Sequence, residues 1–87
     1  MTEKDFLNGV VMIRVTSLEQ SQYLIDLAEQ NRLEGNGVFE PYSFIEFPYY
    51  FIQNREQLNA TKDPGFDMSL EGITKLLRFE DVFQTVN

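Results

Sequence analysis

The chain has 87 residues, 43% of them apolar, and a formal net charge of −7 from fourteen acids against seven bases. It contains no histidine, cysteine or tryptophan, so the usual zinc ligands, the thiolate nucleophile and the neutral-pH acid–base group are missing. The bases Lys4, Arg14, Arg32, Arg55, Lys62, Lys75 and Arg78 are strung along the whole length, which disfavours binding to nucleic-acid phosphates or to an anionic membrane.

A chain this short is expected to form one domain over residues 1–87, and it has no disulfide or Cys/His metal staple to reinforce it. Eight Phe and four Tyr can supply the core instead, because each buries a large area. The start, MTEKDFLNG, lacks a basic region followed by an apolar run, and no stretch reaches the length of a membrane span. The expected address is the cytoplasm.

In chain order, Asn8-Gly9 signals a turn, and Val10–Thr16 is rich in β-branched residues. Val11, Ile13 and Val15 would face one side of a strand and Val10, Met12 and Arg14 the other, which predicts a central strand. Ser17 with Gln20 three residues on forms a capping box. Ser21, Leu24, Ile25 and Ala28 then recur at helical spacing, predicting an amphipathic helix over roughly residues 18–33, with Gly35 as its left-handed stop. The next segment is dense in aromatics: Phe39, Tyr42, Phe44, Phe47, Tyr49, Tyr50 and Phe51. Pro41 and Pro48 forbid one long central strand there. The spacing predicts a short strand or extended piece near Phe44–Phe47, a strand at Tyr49–Gln53, a turn at Asn54-Arg55-Glu56 and a weak partner strand at 57–61. Asp63-Pro64-Gly65 reads as another turn. Residues 69–84 fit either period. Gly72 weakens a helix, so a strand at 73–79 is favoured, followed by a helical turn, Glu80-Asp81-Val82-Phe83, that drops Phe83 onto the core. The expected fold is α+β, with one amphipathic helix packed on a mainly antiparallel sheet of three to five strands.

Two surfaces stand out. Glu19, Gln22, Asp26 and Glu29 share the helix face opposite the apolar one, with Glu19 about 10 Å from Asp26 along the axis. Such a row can imitate nucleic-acid phosphates or steer a basic partner; the competing reading is a solvated face that keeps an acidic protein soluble. The aromatic block is the second. A single helix cannot cover both faces of a sheet, so some of Tyr42, Tyr49 and Tyr50 should reach an open face. That face would suit a protein interface, a homodimer seam or stacking of a flat ligand, unless loops fold over it. Asp63, Asp67 and Glu71 lack the spacing of a calcium loop and suit capping and turns better. Gly35-Asn36-Gly37 follows a helix, so it cannot cradle a phosphate on a helix N-terminus. The adjacent Glu80 and Asp81 should point apart. No catalytic residue, metal or cofactor is expected.

The order of a VVMIRVTS strand, an LEQSQYLIDLAEQN helix, a YYFI strand and a closing LLRFEDVF resembles many small α+β proteins encoded by phages and prophages. That resemblance implies a small non-enzymatic inhibitor of the anti-defence type. The leading expectation is therefore an acidic protein-binding module whose target is a host protein with a basic surface. Glu19, Asp26 and Glu29 would supply the charge and Tyr42, Tyr49 or Tyr50 the anchors, with no direct nucleic-acid or membrane binding. One alternative is an oligomer that sequesters a small ligand or nucleotide, with Arg14, Arg55, Lys75 and Arg78 as the available cations. Another is a structural or regulatory subunit.

Overall fold

A computed structural model describes residues 2–35 and 40–83. Phe39 of the aromatic block, and Asn36 and Gly37, lie outside the described residues. Within them the chain is α+β. The helices are α1 (Glu3–Leu7), α2 (Leu18–Gln30), α3 (Pro64–Glu71) and α4 (Phe79–Val82). The strands are β1 (Val11–Arg14), β2 (Glu34–Gly35), β3 (Tyr49–Gln53), β4 (Gln57–Thr61) and β5 (Lys75–Arg78). They form one sheet in the order β2-β4-β3-β1-β5.

The expectation of one helix on a mainly antiparallel sheet needs correction. β1 pairs β5 in parallel and β2 pairs β4 in parallel, while β3 runs antiparallel to both β1 and β4. Four strands thus share one direction and β3 opposes them. Consecutive strands that run the same way need crossovers, and β1–α2–β2 and β4–α3–β5 are two, each spanning three places and travelling across the sheet in opposite senses. Crossovers of one hand that travel oppositely fall on opposite faces. Accordingly, α2 covers one face and α3 the other.

The α2 face carries the main core. Val11, Ile13 and Val15 meet Leu24, Ile25, Leu27 and Ala28 of α2, Tyr50 and Ile52 of β3, and Leu58 of β4. Phe6 of α1, with Phe79 and Phe83 at the two ends of α4, closes the side. Gly9 lets α1 approach: at φ 74° it is left-handed, and a Cβ there would sit 2.9 Å from the Ile52 carbonyl oxygen. The α3 face holds a smaller cluster, Met12, Phe51 and Ile73, with Tyr49 and Met68 packed against it.

Four local features depart from expectation. Helix α2 stops at Gln30, and Arg32 rather than Gly35 takes the left-handed position, at φ 59°. Leu33 N–H reaches the Ala28 carbonyl and Arg32 N–H that of Glu29, which is the Schellman pattern. Gly35 pairs in β2 instead. The Phe44–Phe47 piece is not a strand, because Pro41 starts a 3-10 helix over Pro41–Ile45. Asp63-Pro64 opens α3 rather than a plain turn: Asp63 accepts from Phe66 N–H at 3.3 Å and Pro64 takes the first turn. Gly72, at φ 71°, ends that helix.

Candidate functional site on the outer face of helix α2

The site begins with the cap that starts α2. Ser17 Oγ accepts from Gln20 N–H at 3.2 Å, while Gln20 Oε1 accepts from Thr16 N–H at 2.9 Å, one residue before the expected partner. The Gln20 amide then donates to the Glu80 carboxylate at 2.8 Å, tying α2 to α4. On the inner side, Ser21 is buried and lies 2.7 Å from the Tyr50 hydroxyl. These anchors fix the rotation of the helix, and so decide which residues face outward.

Glu19, Asp26 and Glu29 all face solvent, as the spacing predicts. Gln22 donates to Asp26 at 2.9 Å. Among the described residues none of the three acids has a cationic partner, and the ion pair there is Arg78–Asp81, at 3.2 Å. The site residue that the sequence does not single out is Tyr23. It lies four positions after Glu19 and three before Asp26, on the same outward strip, and is 42% exposed. Helical spacing is the signal that could have found it, but a lone tyrosine stands out less than the dense aromatic block that follows. Its ring stands edge-on to Phe79 at 5.4 Å and to Phe83 at 5.3 Å. Partial burial pushes its hydroxyl pKa up, and the negative charge of the nearby Glu3 carboxylate adds to the shift. Glu3, from α1, therefore joins Glu19 and Asp26 around one aromatic ring, while Glu80, from α4, takes the Gln20 amide. Two depressions flank that ring. One, about 260 Å³, is lined by Glu3, Tyr23, Asp26, Leu27, Gln30 and Asn31. The other, about 190 Å³, is lined by Glu19, Gln20, Tyr23 and Phe79.

The three tyrosines expected as a shared anchor surface are dispersed. Tyr42 is 62% exposed, on the 3-10 helix that packs against α2. Tyr49 is half-buried beneath the α3 side. Tyr50 is fully buried, a correction: its side chain points into the α2 core, where burial raises its pKa and Ser21 satisfies its hydroxyl. The aromatic sheet face is not open either, since α3 lies over it and Phe51 is buried.

Of the four cations named for a nucleotide, two meet. Arg14 and Arg78 are register partners on β1 and β5, and Tyr49 is the partner of Arg14 on β3. Asp81 occupies the Arg78 guanidinium through both Nε and Nη2. Arg55, left-handed at φ 59°, sits far off in the β3–β4 turn, and Lys75 is the register partner of the core residue Val11. The remaining acids have local work: Asp67 accepts from Thr61 Oγ1 at 2.6 Å, and the hydrogen bonds from Arg78 hold the Asp81 carboxyl below its ordinary pKa.

No described helix is long and apolar enough to cross a membrane. Compared with known proteins, the chain matches no family model, no curated protein and no solved structure.

Proposed function

We propose that this chain is a non-enzymatic acidic protein-binding module, an inhibitor of the anti-defence kind its phage-like layout implies, and that α2 is its working surface. Glu19, Asp26 and Glu29 take the places that a basic host protein reserves for nucleic-acid phosphates. The supporting observation is Tyr23: an exposed aromatic ring, held edge-on against Phe79 and Phe83, set among Glu3, Glu19 and Asp26. Aromatic anchors surrounded by charge are the usual energetic centre of a protein interface, whereas a face that serves solubility alone has no need of one. Uncompensated acids along a helix also repel one another, and a cationic partner relieves that repulsion.

The test is a titration of the partner recovered from host extract, repeated across ionic strength. Affinity should fall as salt rises, duplex DNA should compete, and neutralising all three acids (Glu19→Gln, Asp26→Asn, Glu29→Gln) should slow association by about tenfold or more at low salt. Affinity indifferent to salt and to the triple substitution refutes phosphate imitation.

A second reading, a ligand-sequestering oligomer, draws on the Tyr49–Arg14–Arg78 row. It ranks lower because Asp81 already neutralises Arg78. It requires a stable dimer or higher state, and a monomer in sedimentation at micromolar concentration removes it.

A further inference from the structure

The depression between α2 and the start of α4 differs in kind from the rest of the acid face. Its wall is almost wholly apolar, formed by Tyr23, Phe79 and the stems of Gln20 and the exposed Glu19. Three of these four side chains are held in place before any guest arrives. Phe79 is core. Tyr23 is fixed by its edge-on contacts with Phe79 and Phe83. Gln20 is spanned between Thr16 N–H and Glu80. Glu19 is exposed and forms no hydrogen bond or ion pair among the described residues.

Size and charge together narrow the occupant. At about 190 Å³ the depression is below the ~300–1,000 Å³ of a typical small-molecule site, so it takes one long side chain rather than a nucleotide. Acids surround it, with Glu19 in its lining, Glu3 beside Tyr23 and Glu80 on the Gln20 amide, and they exclude anions. Apolar aromatic walls disfavour a strongly hydrated ammonium, but they suit a flat, weakly hydrated guanidinium on an apolar stem.

We infer that this cleft receives an arginine side chain of the basic protein engaged by α2, with the guanidinium meeting Glu19 and its stem lying against Tyr23 and Phe79. The inference rests on the protein-binding reading above and adds the residue type that the partner must present. Tyr23 acts as the platform and Glu19 as the counter-charge. Glu3 and Gln20 are positioning residues, because they act through Tyr23 and through the α2–α4 join.

The experiment titrates the isotopically labelled full chain with N-acetyl-arginine amide, its neutral citrulline counterpart and N-acetyl-lysine amide, following the ring protons of Tyr23 and Phe79 by NMR. A lone side chain should bind with a millimolar dissociation constant. Arginine should shift both rings, citrulline should bind about tenfold more weakly, and Glu19→Gln should weaken arginine severalfold without unfolding the chain. Tyr23→Ala should abolish the Phe79 shift; because that change also loosens α4, the wild-type rings and Glu19→Gln are the decisive readouts. Arginine shifts confined to Asp26 and Glu29, or rings equally indifferent to all three probes, overturn the cleft assignment. The acid-face reading survives that result if partner binding keeps its salt dependence. Conversely, rings that respond to arginine while partner binding ignores salt leave the cleft standing and remove the phosphate-imitating partner.

Discussion

Helices α2 and α3 do the same topological job on opposite faces of one sheet, and they are built very differently. Both carry the chain between parallel strands. The thirteen-residue α2 buries Ser21, Leu24, Ile25, Leu27 and Ala28 and turns acids and Tyr23 outward. The eight-residue α3 has no fully buried residue, sends Met68 toward the small cluster, and leaves Phe66 and Leu70 at 64% and 67% exposure. Stability should therefore be concentrated under α2, with α3 a thin cover. The difference also separates charge from apolarity at the surface: α2 offers carboxylates around a ring, α3 a bare apolar turn.

The contrast is open to attack in order of expected effect. Leu24, fully buried at the centre of the α2 core, should cost ~2–5 kcal/mol when cut to Ala, a large part of the ~5–15 kcal/mol that holds a small domain together. Urea unfolding measures it, and a loss under ~1 kcal/mol would mean that the core is not seated under α2. Ser21→Ala leaves the Tyr50 hydroxyl buried without its partner and should cost ~1–3 kcal/mol. Adding Tyr50→Phe should recover part of that loss, since the orphaned group is gone, and a double-mutant cycle reads the coupling. Arg32→Gly should act in the opposite direction. A left-handed non-glycine residue at the end of α2 is strained by ~1–2 kcal/mol, so the glycine variant should melt later, by ~1 kcal/mol or less once the added freedom of the unfolded chain is counted.

The alkaline limb of stability should also belong to the α2 side. Burial raises the Tyr50 pKa, and burial followed by Glu3 raises that of Tyr23, so both are more readily kept neutral in the fold than in the unfolded chain. Their contribution is complete below the ordinary tyrosine pKa of 10.0 and is lost as pH rises through the elevated folded values. Tyrosinate absorbance should thus show two late-titrating groups whose ionisation coincides with unfolding, and Tyr50→Phe should flatten that limb. The smallest effect belongs to α3: Leu70→Ala should change stability by no more than ~0.5 kcal/mol. A loss as large as that from Leu24→Ala would erase the distinction between the two helices.

Much of the α2 side was legible in the sequence. Ser17, Gln20 and the apolar spacing specify α2 because cap and periodicity agree, and Val11, Ile13 and Val15 point to the same face in the structure. Tyr49–Gln53 was also readable, while the partner strand at 57–61 gave only a weak signal and residues 69–84 fitted either period before the structure showed β5 and the turn that buries Phe83. The α3 side was not. Its outward Phe66 and Leu70 spoil the amphipathic pattern, and Asp63-Pro64 serves a turn as readily as a helix start. The parallel pairing of β5 depends on where α3 crosses, which no local signal records. At the site, helix periodicity places Glu19, Asp26 and Glu29 together, but Glu3 reaches Tyr23, and Glu80 reaches Gln20, from other elements, and only the fold brings them there.

The most direct test of α2 as the working surface is a chemical-shift map of the labelled chain titrated with a short arginine-rich peptide at low salt. The account predicts perturbations along Glu19, Tyr23, Asp26 and Glu29 that fade as salt is added, with Phe66, Leu70 and Leu76 on the α3 side unmoved. Perturbations centred on Phe66 and Leu70, or none on α2 at any salt, would contradict it.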